Sequence, residues 1–158
     1  MDGSLPTGYE LKSGGSRDRS LLVKYMRYTY QELDPQQQNF THLTDTVNRF
    51  FSPQTPLWLV KKVNQTGKSR TVGCLWLGNA IDQRTGISYA HILLIYVHPQ
   101  HRHQGIGTAL IQQAENWAKA RGDRSLGLQV FTDNQPALSL YRRQGFQTQS
   151  LLMVKALS

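Results

Sequence analysis

The sequence predicts a single mixed α/β domain, and three observations carry that expectation. Its 158 residues suit one domain and are enough to bury a core. Its apolar residues alternate, stretch by stretch, between helical and strand-like spacing. One long apolar run, Ile87 to Val97, is rich in Ile, Leu, Val and Tyr, as a central buried strand requires. The first seven residues are expected to be flexible, leaving residues 8–158 as the domain.

Taken in order, Tyr9 to Lys12 can form a short strand before the Ser13-Gly14-Gly15 break. Ser16 can cap a helix on which Leu21, Leu22, Tyr25, Met26, Tyr28 and Leu33 recur at helical spacing, and Asp34-Pro35 stops it. His42 to Phe51 supports a second helix through Leu43, Val47, Phe50 and Phe51, ended by Ser52-Pro53. Leu57 to Val63 and Thr71 to Leu77 read as strands joined by a hairpin loop. Gly78 to Gly86 reads as a polar loop before the central strand. From Gly105 the period changes: Ile106, Ala109, Leu110, Gln113, Ala114, Trp117 and Ala118 line one helix face, which Gly122 can terminate. Leu126 to Phe131 is the next strand, and Asn134 starts a helix carrying Leu138 and Tyr141 that Gly145 closes. Gln147 to Ala156 reads as a final extended, hairpin-like stretch. The expected order is β-α-α-β-β-β-α-β-α-β(-β), without internal repeats or an inserted module.

Composition excludes several classes. Hydrophobic residues make up 39% and charged residues 18%, which argues against disorder. No apolar run approaches the ~20 residues of a membrane span. The N-terminus lacks the basic-then-apolar pattern of a signal peptide, so the expected location is the cytoplasm. Cys74 stands alone in a strand-like stretch with no polarising neighbour, as a buried structural thiol would. The net charge of +8 favours an anionic ligand. Nucleic acid, an acidic protein and a phosphorylated cofactor all fit that charge. The cations are scattered, at Lys61-Lys62, Arg102, Arg121, Arg124 and Arg142-Arg143, whereas nucleic-acid binders favour a dense stripe.

The chemistry concentrates after the central strand. There Val97-His98-Pro99 leads through a short loop into Gly105-Ile106-Gly107 at a helix start. The first N–H groups of a helix lack internal partners, and the helix dipole adds positive charge, so glycines there let an anion reach the backbone. Arg102 adds a cation. Two similar motifs fail. The dinucleotide fingerprint needs glycine where Leu110 stands, and a phosphate-binding loop ending in Gly67-Lys68-Ser69 needs glycine at Lys62. Asn64-Gln65-Thr66 is a glycosylation sequon without secretory context. His98, His101 and His103 have no nearby cysteine or acid to complete a metal set, and they read as a solvated loop.

The string Arg102-His103-Gln104-Gly105-Ile106-Gly107 resembles the Arg/Gln-x-x-Gly-x-Gly/Ala signature of the GCN5-related N-acetyltransferase (GNAT) superfamily. Asn134, Ala137-Leu138-Ser139-Leu140-Tyr141 and Gly145-Phe146 resemble that family's second half. The resemblance implies a mixed, mostly antiparallel sheet flanked by helices, with two strands splayed at the acetyl-CoA site. It implies that the backbone of Ile95, Tyr96 and Val97 pairs with the pantetheine arm. It further implies that amides from His103, Gln104, Gly105, Ile106, Gly107 and Thr108 hold the pyrophosphate, and that Asn134 contacts the pantetheine. Tyr141 would then point its hydroxyl at the thioester sulfur and protonate the departing thiolate. Acetyl-CoA is the implied co-substrate, a primary amine of a small molecule or peptide the acceptor, and no metal is called for.

The general base is less defined. Some branches of the family carry Glu where His91 stands, and others carry Glu where Gln129 stands. Glutamine cannot accept a proton usefully, which leaves His91, directly or through water. The acceptor would enter beneath the first two helices, near Tyr25, Tyr28, Tyr30, His42, Phe50, Phe51, Trp58 and Trp76, residues that simple packing would equally explain. Two other readings stay open: a non-catalytic acyl-CoA sensor on the same fold and, less favoured, a nucleic-acid-associated protein. The apolar tail Ser150 to Val154 could close the sheet or pair two copies into a homodimer.

Overall fold

The structure is a computed structural model and describes residues 4–158. Its elements are β1 (Tyr9–Ser13), α1 (Arg19–Leu33), α2 (Leu43–Phe50), β2 (Leu57–Val63), β3 (Ser69–Ile81), β4 (Ser88–Val97), α3 (Ile106–Arg121), β5 (Leu126–Leu128) and α4 (Gln135–Arg143). Short 3-10 turns at Ser16–Asp18 and Pro99–His101 precede α1 and α3. The strands form one five-stranded sheet in the order β1-β2-β3-β4-β5. Neighbours are antiparallel except β4 and β5, which run parallel. This is the mixed, mostly antiparallel sheet expected.

Both faces of the sheet are covered. On one, Leu57, Leu59, Cys74, Trp76, Leu94 and Tyr96 pack against Leu22, Tyr25 and Met26 of α1 and Leu43 and Val47 of α2. On the other, Val60, Leu75, Leu77 and Ile92 meet Ile106, Leu110 and Ala114 of α3. Cover on both faces is why β4 reads as an almost unbroken apolar run. A β-bulge re-phases that strand: Trp76 opposes Leu94 but Leu77 opposes Ile92, so Leu93 is an extra residue. Cys74 is fully buried, which pushes its thiol pKa well up.

Several local expectations change. Gly78 to Ile81 continues β3 rather than starting a loop, because β4 begins early enough, at Ser88, to pair with Ile81. The turn between them is built on Asp82, whose Oδ1 accepts from the amides of Arg84 (2.8 Å) and Thr85 (3.3 Å). Ser16 does not cap α1; the Asp18 carboxylate accepts from the Gly15 amide at 2.9 Å instead. β5 stops at Leu128, not Phe131. The stretch from Gln147 to Ala156 forms no strand, and Leu151, Leu152, Met153 and Val154 stay exposed. A three-residue β5 offers that tail little edge to join. Trp58 lies on the α3 face, away from the aromatic group expected around the acceptor. Of the seven N-terminal residues expected to be flexible, 1–3 lie outside the described residues, while Leu5 packs against the α3-side core.

The junction of α3, β4 and β5 depends on Asp123. Gly122 ends α3 in the left-handed region (φ 94°), and the Asp123 amide returns to Ala118 O at 2.9 Å. The Asp123 carboxylate then accepts from Ala90 N at 2.7 Å and from Arg121 Nη2 at 2.7 Å. The Arg121 guanidinium holds that carboxyl below the usual carboxylate range. A depressed folded-state pKa stabilises the fold above the ordinary carboxylate pKa, and that contribution is lost as pH falls through the folded value. Asp123→Ala should therefore cost about 2–3 kcal/mol in urea unfolding at pH 7 and much less in acid. A loss below about 0.5 kcal/mol at neutral pH would show that this junction holds without it.

Candidate functional site

The site begins where the sheet comes apart. β5 pairs only with Ala90, His91 and Ile92, so among the described residues the β4 edge from Leu93 to Val97 has no neighbouring strand on that side. His98 N donates to Val72 O at 2.7 Å. By antiparallel alternation, the backbone groups of Ile95 and Val97 then point away from β3, toward the gap. The side chain of Tyr96 lies under α1, its ring 4.5 Å from that of Tyr25. One outward group is already engaged: Val97 O accepts from Arg102 Nε at 2.7 Å.

The loop after β4 has the backbone form of an anion cradle. His103 holds a left-handed conformation (φ 63°) and Gly105 another (φ 91°) before α3 begins. Turns of this kind converge successive N–H groups on one concavity. Among the described residues, the amides from His103 through Thr108 donate to no backbone carbonyl. Strain at a non-glycine residue in such a loop is characteristic of ligand clamps. Gly107 permits close packing: a Cβ there would lie 3.3 Å from Leu140 Cδ2 of α4.

Arg102 does not project freely into this cradle. Its two terminal nitrogens grip Glu32 of α1 at 2.8 and 2.9 Å, and its guanidinium lies over the Tyr96 ring. Nothing in the local sequence marks Glu32, which lies seventy residues from its partner. The solvated-loop reading of the histidines is corrected at His101, which is buried. Its Nδ1 lies 2.7 Å from the Tyr9 hydroxyl and its Nε2 3.4 Å from Arg70. Burial, with Arg70, His98 and Lys62 nearby, lowers the pKa of His101 and keeps it neutral. No group of three or more His, Cys, Asp or Glu side chains among the described residues is arranged to hold a metal ion.

Across the gap stands α4. Asn134 precedes it and accepts from the Ala137 amide at 3.4 Å, with Pro136 in the first turn. Asn134, Asp133 and Pro136 face Thr29, Glu32 and Leu33 across a cleft of about 290 Å³. Tyr141 sits further along α4, edge-on to Phe146 with 5.8 Å between ring centroids. Burial pushes its hydroxyl up to about 12. His91 lies on β4 between Gly78 and Gly127 of the flanking strands. A Cβ on Gly127 would come within 2.8 Å of the Tyr89 ring and 3.5 Å of His91 Nδ1, so that glycine makes room for both side chains. His91 Nδ1 is buried without a hydrogen-bond partner among the described residues, and burial lowers the ring's pKa, favouring the neutral, proton-accepting form. Gln129 is exposed, one residue beyond β5. Of the aromatic residues expected around the acceptor, Tyr25 and Trp76 are buried in the α1 and α2 core.

The model of the acetyltransferase (GNAT) family matches residues 20–146. The chain belongs to this family. An N-acetyltransferase of Methanocaldococcus jannaschii is 40% identical over 79 residues, covering 50% of this chain and 33% of that protein. The streptothricin acetyltransferase of Streptomyces lavendulae is 46% identical over 52 residues, covering 33% of this chain and 28% of its own. The chain thus spans about a third of these two family members. An acetyltransferase of Yersinia pestis is 29% identical over 108 residues, covering 68% of this chain and 70% of that one. Among solved structures, an acetyl transferase from Pyrococcus furiosus superposes with a TM-score of 0.74 at 24% identity. That match covers 94% of this chain and 99% of the other and supports a shared fold.

Proposed function

We propose that the protein is an acetyl-CoA-dependent N-acetyltransferase that transfers the acetyl group directly to a primary amine of a small molecule, peptide or protein. The observation that carries this reading is the unpaired outer edge of β4, which runs straight into a left-handed loop with undonated amides. A cofactor with a long amide-bearing arm ending in a pyrophosphate matches both halves. Its arm would pair with the outward backbone of β4, and its pyrophosphate would accept from the amides of His103 to Thr108.

The amine must reach the thioester neutral. His91, uncharged at neutral pH, would accept the proton that the amine loses, directly or through water. The amine nitrogen bonds to the acetyl carbon, the carbon–sulfur bond breaks, and the electron pair leaves on sulfur. Tyr141 would donate to the developing thiolate. The products are an amide and CoA, whose sulfur takes its proton from Tyr141 or from solvent while His91 returns the amine's proton to solvent.

The experiment is release of free thiol from acetyl-CoA against a panel of amines, alongside acetyl-CoA-dependent thermal unfolding. Binding with turnover on an amine supports the proposal. Binding without turnover on any amine would point to the sensor, and no binding would remove both. For His91→Gln, the acid limb of the kcat/KM profile should disappear. In the parent protein, activity should fall as pH drops through a value below the usual ~6.5 of histidine, because the charged ring cannot accept a proton. An unchanged limb in His91→Gln would assign the base elsewhere.

A further inference from the structure

We infer that Glu32 and Arg102 form a register lock on the outer edge of β4, making them positioning residues for the acyl group. The inference rests on the acetyl-CoA reading above and adds to it. Arg102 Nε donates to Val97 O at 2.7 Å, while Nη1 and Nη2 bind Glu32 Oε2 and Oε1 at 2.9 and 2.8 Å. The planar fork satisfies both carboxylate oxygens through Nη1 and Nη2 and leaves the Nε–H aimed at the strand. Tyr96 supports the guanidinium from below, at 5.6 Å, and is itself stacked on Tyr25 of α1. The last turn of α1 and the end of β4 are thereby held as one unit.

The consequence is a choice of register. In the open part of β4, the outward hydrogen-bonding groups belong to Ile95 and Val97. An amide arm could pair at either residue, in registers two residues apart, or roughly 6–7 Å along the strand. Val97 O already accepts from Arg102 Nε, so the outward carbonyl left with both lone pairs for the arm is that of Ile95. A displacement of that size would carry the thioester away from any fixed general acid or base. Engaging Val97 O therefore favours the register that presents the acyl group to the reacting side chains. A lock of this kind acts on turnover more than on affinity, because a slipped arm still makes its hydrogen bonds.

Glu32→Gln and Arg102→Lys test the idea together. Lysine keeps the charge but lacks the fork. Both side chains are partly exposed, 34% for Arg102 and 44% for Glu32, so loss of the pair should leave the fold intact, checked by an unchanged unfolding midpoint without ligand. The prediction is about a tenfold fall in kcat for each variant, with the dissociation constant for CoA within about threefold of the parent. The double variant should be no worse than the worse single, since the two residues act as one device. Unchanged kcat would overturn the inference. So would a rise in the CoA dissociation constant that accounts for the whole effect, which would assign the pair to holding the pyrophosphate loop. If the parent protein fails to bind acetyl-CoA at all, the enzyme reading itself falls, and that result is visible before any variant is made.

Discussion

Replacing Gly105 with valine should abolish the rise in unfolding midpoint that acetyl-CoA produces in the parent protein. Gly105 enters α3 at φ 91°, a conformation a β-branched residue adopts only under strain. The helix start would relieve that strain by turning, and the amides of Ile106, Gly107 and Thr108 would swing away from the pyrophosphate position. In the parent, ligand at 100 times its dissociation constant adds about 2.7 kcal/mol, or roughly 5–10 °C for a domain of this size. The Gly105→Val shift should fall below about 1 °C, and its midpoint without ligand should drop by a few degrees from the strain alone. Differential scanning fluorimetry at saturating acetyl-CoA reads both numbers. A full shift in the variant would mean that the cofactor's phosphates bind elsewhere.

Tyr141→Phe should lower kcat by about 100-fold while leaving the affinity for acetyl-CoA within about twofold. Its hydroxyl, pushed up to about 12 by burial, stays protonated throughout the working range and is always available as a donor. An ordinary thiol titrates near ~8.5, so outright proton transfer from such a phenol is uphill unless the same burial raises the thiolate. What Tyr141 can supply throughout is a hydrogen bond to sulfur as charge develops on it, in surroundings where such a bond is strong. The variant should consequently lose rate at every pH without shifting the profile. A pH-dependent loss, with an alkaline limb that vanishes on substitution, would indicate a lower pKa than burial implies. Unchanged kcat would remove Tyr141 from the chemistry.

Much of this molecule was readable one segment at a time. The helix periods of α1, α2 and α3, the hairpin of β2 and β3, and the Gly-x-Gly entry to α3 appear in the structure near their expected places. Each follows from neighbours a few residues apart. Where the structure departs from expectation, the cause is a distant partner. Gly78 to Ile81 has the polar composition of a loop, but its pairing with Ser88 to His91 makes it strand. The tail from Gln147 has the apolar residues of a strand but little sheet edge to join, and Leu151 to Val154 stay exposed. Trp58 lies on the α3 face because it alternates with Leu57 and Leu59, and which face of β2 meets α3 is set by packing that one strand does not reveal.

The site divides along the same line. The sequence alone determined the chemistry available: a glycine-opened helix start, an asparagine seven residues before a tyrosine, and a histidine in a central strand. The tertiary structure decided how those groups are used. It buried His101 against Tyr9, ninety-two residues away, instead of leaving it in solvent. It turned Arg102 from a free cation into the partner of Glu32 and Val97. It also ended β5 early, so that β4 keeps an unpaired edge where a cofactor arm can lie. Periodicity and turn chemistry are short-range and leave their mark in adjacent residues. The partner of a charged side chain, or of a strand edge, is set by which distant segments the folded sheet brings together.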